Sequence, residues 1–115
     1  ETLKFENNLK IIIKAKFITS YSNLTYESYA CMKILDLKPG DEVIVPNLTF
    51  IATINSVIMA NLKPVLCEVD EECMCMNIES FKSSITNKTK AVIPVHSYEN
   101  CCDMSQLKKI NIQLL

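Results

Sequence analysis

The stretch Pro39–Asp70 constrains the fold more than any other part of the sequence, because it predicts a buried strand, a helix and a second strand. Glu42–Pro46 is a short apolar run rich in valine and isoleucine, which is typical of a strand covered on both faces. Val65–Val69 predicts the second strand. A right-handed crossover through the intervening helix would make the two strands parallel.

The helix predicted from Phe50 onward carries apolar residues at intervals of three and four. That spacing places them on one stripe, which we expect to face the sheet. The stripe consists of Ile51, Ile54, Val57, Ile58 and Leu62.

The rest of the chain predicts the same alternation of helices and strands. Before the central unit, Glu1–Lys10 predicts a short amphipathic helix, Ile11–Ser20 the first strand with Phe17 and Ile18 buried, and Ser22–Asp36 a second helix. After it, the sequence predicts short helices at Ile78–Ile85 and Asp103–Lys109, and strands at Lys90–Val95 and Asn111–Leu115. This alternation indicates an α/β fold, a layered and mostly parallel sheet with flanking helices.

Size and charge exclude several classes of protein. A chain of 115 residues is enough for one domain, and its start at Glu1 and its end within a predicted strand lead us to expect a single incomplete domain over residues 1–115. The net charge is −1 and the twelve basic residues are scattered lysines, which disfavours nucleic-acid binding. With no apolar stretch long enough to span a bilayer and no secretory signal, we expect a soluble cytoplasmic protein without membrane contact.

The six cysteines predict neither disulfides nor a metal site. The chain has ample apolar strands and helices, whereas disulfide frameworks belong to small domains with little other core, so we expect reduced thiols. Cys73 and Cys75 could form a metal cluster with Cys101 and Cys102, but their spacing differs from that of structural zinc sites. We therefore expect no metal.

Several motifs together resemble the pyridoxal-phosphate-dependent sugar aminotransferases of the DegT/StrS family. They are GDEVIVP followed by TF and AT, then KPV and VD, then KTKAVIPVHSY, and finally Asp103-Met104. The match runs in order from about Pro39 to Met104 and more weakly back to Glu1. The resemblance implies the N-terminal part of the large domain of an aspartate-aminotransferase-like (fold type I) enzyme, with pyridoxal phosphate as cofactor.

The resemblance also implies where the cofactor phosphate would bind. Family members hold it with a Ser-Gly-Thr motif at a strand-to-helix junction, and a helix N-terminus suits an anion because its N–H groups are unpaired. The matching positions here are Asn23, Leu24 and Thr25, so leucine replaces the glycine that would allow close approach and positive φ. From the residues alone, Asn23 to Thr25 can equally be a helix cap.

Two further residues are implied at the site. The resemblance places Phe50 against the pyridine ring, although a phenylalanine that begins an apolar helix can also belong to the core. It places His96 at the active-site mouth, where a lone histidine can also be a hydrogen-bonded structural residue. Tyr98 lies in the same position with less support, and Glu99 stands near where the family has glycine.

No catalytic residue is predicted in this chain. The family uses a Schiff-base lysine and an acidic residue paired with the pyridine nitrogen, and none of the twelve lysines matches the catalytic position. The implied reaction moves an amino group from an amino-acid donor, commonly glutamate, to a nucleotide-linked keto sugar in a homodimer. Two alternatives stay open: a non-catalytic degenerate relative or fragment, and a pyridoxal-phosphate-dependent sugar dehydratase of the same fold.

Overall fold

The computed structural model describes every residue from Glu1 to Leu115 and contains five helices and four strands. In chain order these are α1 (Thr2–Ile13), α2 (Leu24–Ile34), β1 (Glu42–Pro46), α3 (Ile51–Met59), β2 (Lys63–Cys67), α4 (Ile78–Ser83), β3 (Thr89–Val92), α5 (Met104–Leu107) and β4 (Gln113–Leu114).

The four strands form one sheet in the order β2-β1-β3-β4, and every neighbouring pair is parallel. The predicted α/β fold with a parallel sheet is therefore confirmed. All carboxyl ends of the strands consequently lie at one edge, which we call the carboxyl edge.

Strand β1 is buried along its whole length because helices cover both faces of the sheet. Val43 and Val45 pack in a cluster with Met32 of α2 and Val57 of α3. Ile44, which points to the other face, packs with residues of α4 and α5, such as Phe81 and Leu107. The valine-rich run that predicted a doubly covered strand is explained by this three-layer arrangement.

The prediction of a first strand at Ile11–Ser20 is wrong. Helix α1 continues through Ile13, since a helix that is already formed gains one hydrogen bond for each residue added. It ends at Lys14, which adopts the left-handed conformation with φ 54°. The segment then turns back, and the backbone N–H and the hydroxyl of Ser20 both donate to the Glu6 carboxylate, at 2.8 and 2.7 Å. Phe17 is exposed rather than buried.

The apolar stripe predicted for α3 is only partly correct. Val57 and Leu62 are buried, but Ile51 and Ile58 are 57% and 54% exposed. The helix instead buries its small side chains Ala52, Thr53 and Ser56, because α3 packs closely against α2 and only small residues fit between two nearby helices.

All six cysteines are free thiols. No helix is long and apolar enough to cross a membrane.

Candidate functional site

Two cavities adjoin at the carboxyl edge of the sheet, where ligands of parallel α/β folds bind. The α2 cavity has a volume of about 420 Å³ and lies between α2, α3 and the segment after β3. The Phe50 cavity has a volume of about 320 Å³ and lies between the loop after β1 and the same segment. Val95 lines both cavities, so they are neighbours.

The N-terminus of α2 presents two backbone N–H groups without a partner in the chain. The side chain of Asn23 accepts a hydrogen bond from the Tyr26 N–H at 3.1 Å, and its carbonyl accepts one from the Glu27 N–H at 3.3 Å. No group of the chain accepts from the N–H of Leu24 or Thr25. The cap and the phosphate interpretations are therefore compatible, since the cap leaves two donors free at the positive end of the helix.

Leu24 adopts an ordinary helical conformation at the first position of α2, with no positive φ. Its side chain is 58% exposed and lines the α2 cavity. The conformational freedom of glycine is therefore not required at this position. What leucine adds, compared with glycine, is an apolar side chain in the lining of the α2 cavity.

The helix N-terminus and the Glu27 side chain have opposite effects on an anion at this end of α2. The half-buried Thr25 lines neither cavity, and its hydroxyl makes no hydrogen bond within the chain. Glu27, one helical turn further, lines the α2 cavity and brings a negative charge to it. The helix dipole attracts an anion here, while the Glu27 carboxylate repels one.

Phe50 does not belong to the core. It is the N-cap residue of α3, its side chain is 77% exposed, and it lines the cavity named after it. The turn that presents the ring is held by a 2.9 Å hydrogen bond between the hydroxyls of Thr49 and Thr53. The ring is thus free to stack on a ligand.

His96 combines a structural contact with a place on the α2 cavity. Its Nδ1 accepts a hydrogen bond from the Cys102 N–H at 3.0 Å. That bond assigns the proton of the neutral ring to Nε2. The imidazole consequently anchors the loop after β3 and keeps its Nε2–H as a potential donor to a ligand.

Cys102 closes the same loop with a second bond, because its thiol donates to the Val95 carbonyl at 3.1 Å. Burial raises the pKa of this thiol to about 11, so it stays protonated at neutral pH and remains a donor. This role of Cys102 could not be predicted from the sequence, because no residue pattern indicates hydrogen bonds to residues six and seven positions before it.

The turn inside this loop is strained. Tyr98 and Glu99 adopt positive φ values of 50° and 66°. Such a conformation costs about 1–3 kcal/mol for a residue other than glycine. Glu99 therefore stands in a conformation that glycine would adopt freely, near the position where the resemblance implies one.

Asp103, from the Asp-Met motif, has a structural role as the N-cap of α5. Its carboxylate accepts hydrogen bonds from the side chains of Ser105 and Gln106 and from the Gln106 N–H, which lower its pKa to about 2. The adjacent Met104 lines the α2 cavity.

The chain is similar to known proteins in both its sequence and its fold. The pattern of the DegT/DnrJ/EryC1/StrS aminotransferase family matches residues 1–113. The chain belongs to this family. Its members are pyridoxal-phosphate-dependent aminotransferases, so the cofactor class that the sequence predicted is confirmed for the family.

Individual members of the family are similar over nearly the whole chain. The GDP-perosamine synthase of Vibrio cholerae is 36% identical over 107 residues, which are 93% of this chain and 29% of that protein. The aminotransferase from Psychrobacter cryohalolentis superposes with a TM-score of 0.92 at 32% identity, over 98% of this chain and 30% of that one. The ntda protein of Bacillus subtilis, solved with bound cofactor PMP, superposes at 0.93 with 27% identity, over 98% and 27%.

The chain thus spans less than a third of the length of these relatives. The chain corresponds to an N-terminal portion of the family members, and it contains the parallel sheet with the two cavities at its carboxyl edge.

Proposed function

We propose that these residues form the phosphate-holding and ring-stacking part of a pyridoxal-phosphate-dependent aminotransferase that acts on a nucleotide-linked keto sugar. The amino donor in this proposal is an amino acid, commonly glutamate. The observation that carries it is the pair of free N–H groups of Leu24 and Thr25 at the end of α2, beside a cavity at the carboxyl edge. Homodimerisation and a cytoplasmic location belong to the same proposal.

The residues present fit the cofactor in three respects. The two unpaired N–H groups at the start of α2 suit a phosphate, and Leu24, the first of the two residues, lines the α2 cavity. The exposed ring of Phe50 suits the face of a pyridine, and the cavities adjoin, so one molecule can reach both. When bound, pyridoxal phosphate supplies an electron sink for the carbon that exchanges its amino group.

The chain's own contribution is binding and orientation. The N-terminus of α2 would attract the phosphate, Phe50 would stack on the ring, and the Nε2–H of His96 would be available to an oxygen at the mouth of the α2 cavity. No lysine lines either cavity. We therefore assign the Schiff-base role to none of the twelve lysines of this chain.

The phosphate contact can be tested without any covalent chemistry. Pyridoxamine 5′-phosphate carries an amine in place of the aldehyde, so it cannot react with the surface lysines. We expect calorimetry to show that it binds at least about tenfold more tightly than pyridoxamine, since a hydrogen bond to a charged group contributes about 1.5–3 kcal/mol. Equal affinities for the two compounds would contradict the proposal.

The ring contact is tested by Phe50→Ala, with Phe17→Ala as the matched control. Both phenylalanines are largely exposed, but only Phe50 lines a cavity at the carboxyl edge. Phe50→Ala should weaken pyridoxamine 5′-phosphate binding roughly two- to tenfold, the effect of one aromatic stacking contact. Phe17→Ala should leave the affinity unchanged, and an equal loss in both variants would remove Phe50 from the site.

A non-catalytic relative is the second candidate, and the lining of the α2 cavity favours it. Leu24 adds an apolar side chain to the cavity lining where the family has glycine, and Glu27 adds a negative charge that a phosphate would meet. This candidate predicts that pyridoxamine 5′-phosphate binds no better than pyridoxamine. The experiment above therefore separates the two functions.

A further inference from the structure

Two aromatic rings line the Phe50 cavity. Tyr98 is 74% exposed and Phe50 is 77% exposed, although large aromatic side chains normally lose most of their surface to the core. The other residues of the lining are Leu48, Thr49, Val95 and Ser97. None of these side chains is charged, so the cavity suits an uncharged planar ring rather than a phosphate or a carboxylate.

The backbone that presents Tyr98 is held in an unfavourable conformation. Tyr98 has φ 50° and the next residue has φ 66°, and such strain persists only where surrounding contacts enforce it. The Asn100 N–H donates to the Ser97 carbonyl at 2.8 Å, and the Asn100 side chain donates to the Cys73 carbonyl at 3.0 Å. Together with the two bonds made by Cys102, these contacts fix the turn. The result is an exposed tyrosine at the cavity rather than a buried one.

We propose that Tyr98 is a ligand-binding residue, the second aromatic wall of the Phe50 cavity, which takes a planar aromatic ring by stacking. The inference deepens the proposed function and rests on it. Within that function two rings have this chemistry: the pyridine ring of the cofactor and the base of the nucleotide that carries the sugar. The Tyr98 hydroxyl makes no hydrogen bond within the chain and can donate to a ring substituent.

The test compares Tyr98→Ala with Tyr98→Phe, which keeps the ring and removes only the hydroxyl. Tyr21→Ala is the matched control, because Tyr21 is also exposed but lines neither cavity at the carboxyl edge. Dissociation constants are measured by calorimetry for three probes: pyridoxamine 5′-phosphate, guanosine diphosphate and thymidine diphosphate. The first probe reports the cofactor ring and the other two report a nucleobase.

We expect Tyr98→Ala to weaken binding of one class of probe roughly two- to tenfold. Tyr98→Phe keeps the ring and should bind that probe more tightly than Tyr98→Ala, and Tyr21→Ala should match the parent protein. A loss confined to pyridoxamine 5′-phosphate assigns the ring to the cofactor, and a loss confined to the nucleotides assigns it to the substrate. Unchanged affinities for all three probes in Tyr98→Ala would overturn the inference.

Failure of the proposed function would give a different result from failure of this inference. If the parent protein does not bind pyridoxamine 5′-phosphate but binds a nucleotide through Tyr98, the proposed function is refuted and the role of Tyr98 is supported. If the parent protein binds no probe, both are refuted. Because Tyr98 is exposed, its replacement should not unfold the protein, and circular dichroism checks this. Should Tyr98→Ala fail to fold, Tyr98→Asn takes its place, since asparagine tolerates positive φ.

Discussion

Cys102 should make stability depend on pH in the alkaline range. Its side chain is only 5% exposed and its pKa rises from 9.0 to about 11 on folding. Between these values the unfolded chain has lost the thiol proton while the folded chain keeps it. The unfolded state then binds fewer protons, so the free energy of unfolding falls as the pH rises from about 9 to 11. A difference of two pKa units corresponds to at most about 2.7 kcal/mol, and we expect a loss of about 1–2 kcal/mol.

The measurement is urea unfolding at several pH values between 8 and 11 under reducing conditions. At pH 8, Cys102→Ala should be less stable than the parent by about 1–2 kcal/mol, because it removes the bond to the Val95 carbonyl and a buried sulfur. Cys102→Ser should recover part of this loss through its hydroxyl. As the pH rises to 11, the gap between the parent and Cys102→Ala should close or reverse.

Subtracting one protein from the other removes the titration of groups distant from Cys102, so the difference reports this thiol together with its neighbours Cys73 and Cys75. Cys101→Ala is the matched control, since that neighbouring cysteine is exposed and should leave the pH dependence of the parent intact. If the stabilities of the parent and of Cys102→Ala run parallel from pH 8 to 11, the thiol does not stay protonated as a buried donor, and the reasoning is refuted.

Two other substitutions test backbone conformations at the site. Leu24→Ala and Leu24→Gly should change the affinity for pyridoxamine 5′-phosphate equally. Leu24→Gly should be less stable than Leu24→Ala by up to about 1 kcal/mol, because residue 24 is helical. Tighter binding by the glycine variant alone would show that the bound backbone needs positive φ. Glu99→Gly should raise stability by about 0.5–1 kcal/mol over Glu99→Ala in thermal unfolding, since only glycine relieves the strain at φ 66°. Equal stabilities of the two Glu99 variants would argue against a left-handed residue there.

The sheet could be predicted from the sequence because its central strand is a short apolar run bounded by turn residues. Glu42–Pro46 is the clearest case, since no amphipathic helix has five consecutive buried residues. Ile11–Ile13 shows the limit of this argument. Three β-branched residues favour a strand locally, but they continue a helix that has already formed, and no strand of the sheet lies beside them to pair with.

Helix α3 shows a second limit. Its sequence offers two candidate inner faces, one with isoleucines and one with Ala52, Thr53 and Ser56. Hydrophobicity alone favours the isoleucine face, whereas the close approach of α2 selects the face with small side chains. Which face is buried depends on the distance to a neighbouring helix, and this distance is not encoded within the segment itself.

The candidate site, too, could be predicted where it depends on the topology of the sheet but not where it depends on individual contacts. That Leu24, Phe50 and His96 lie near one edge follows from parallel strands, because each residue comes shortly after a strand or opens a helix above it. That Asn23 caps α2 through the N–H groups of Tyr26 and Glu27 and leaves those of Leu24 and Thr25 without a partner, and that the backbone N–H of Cys102 donates to His96, depends on distances of a few ångströms. The sequence alone could therefore not show that a helix cap and an anion site are compatible at this helix end, because that depends on which N–H groups the cap uses.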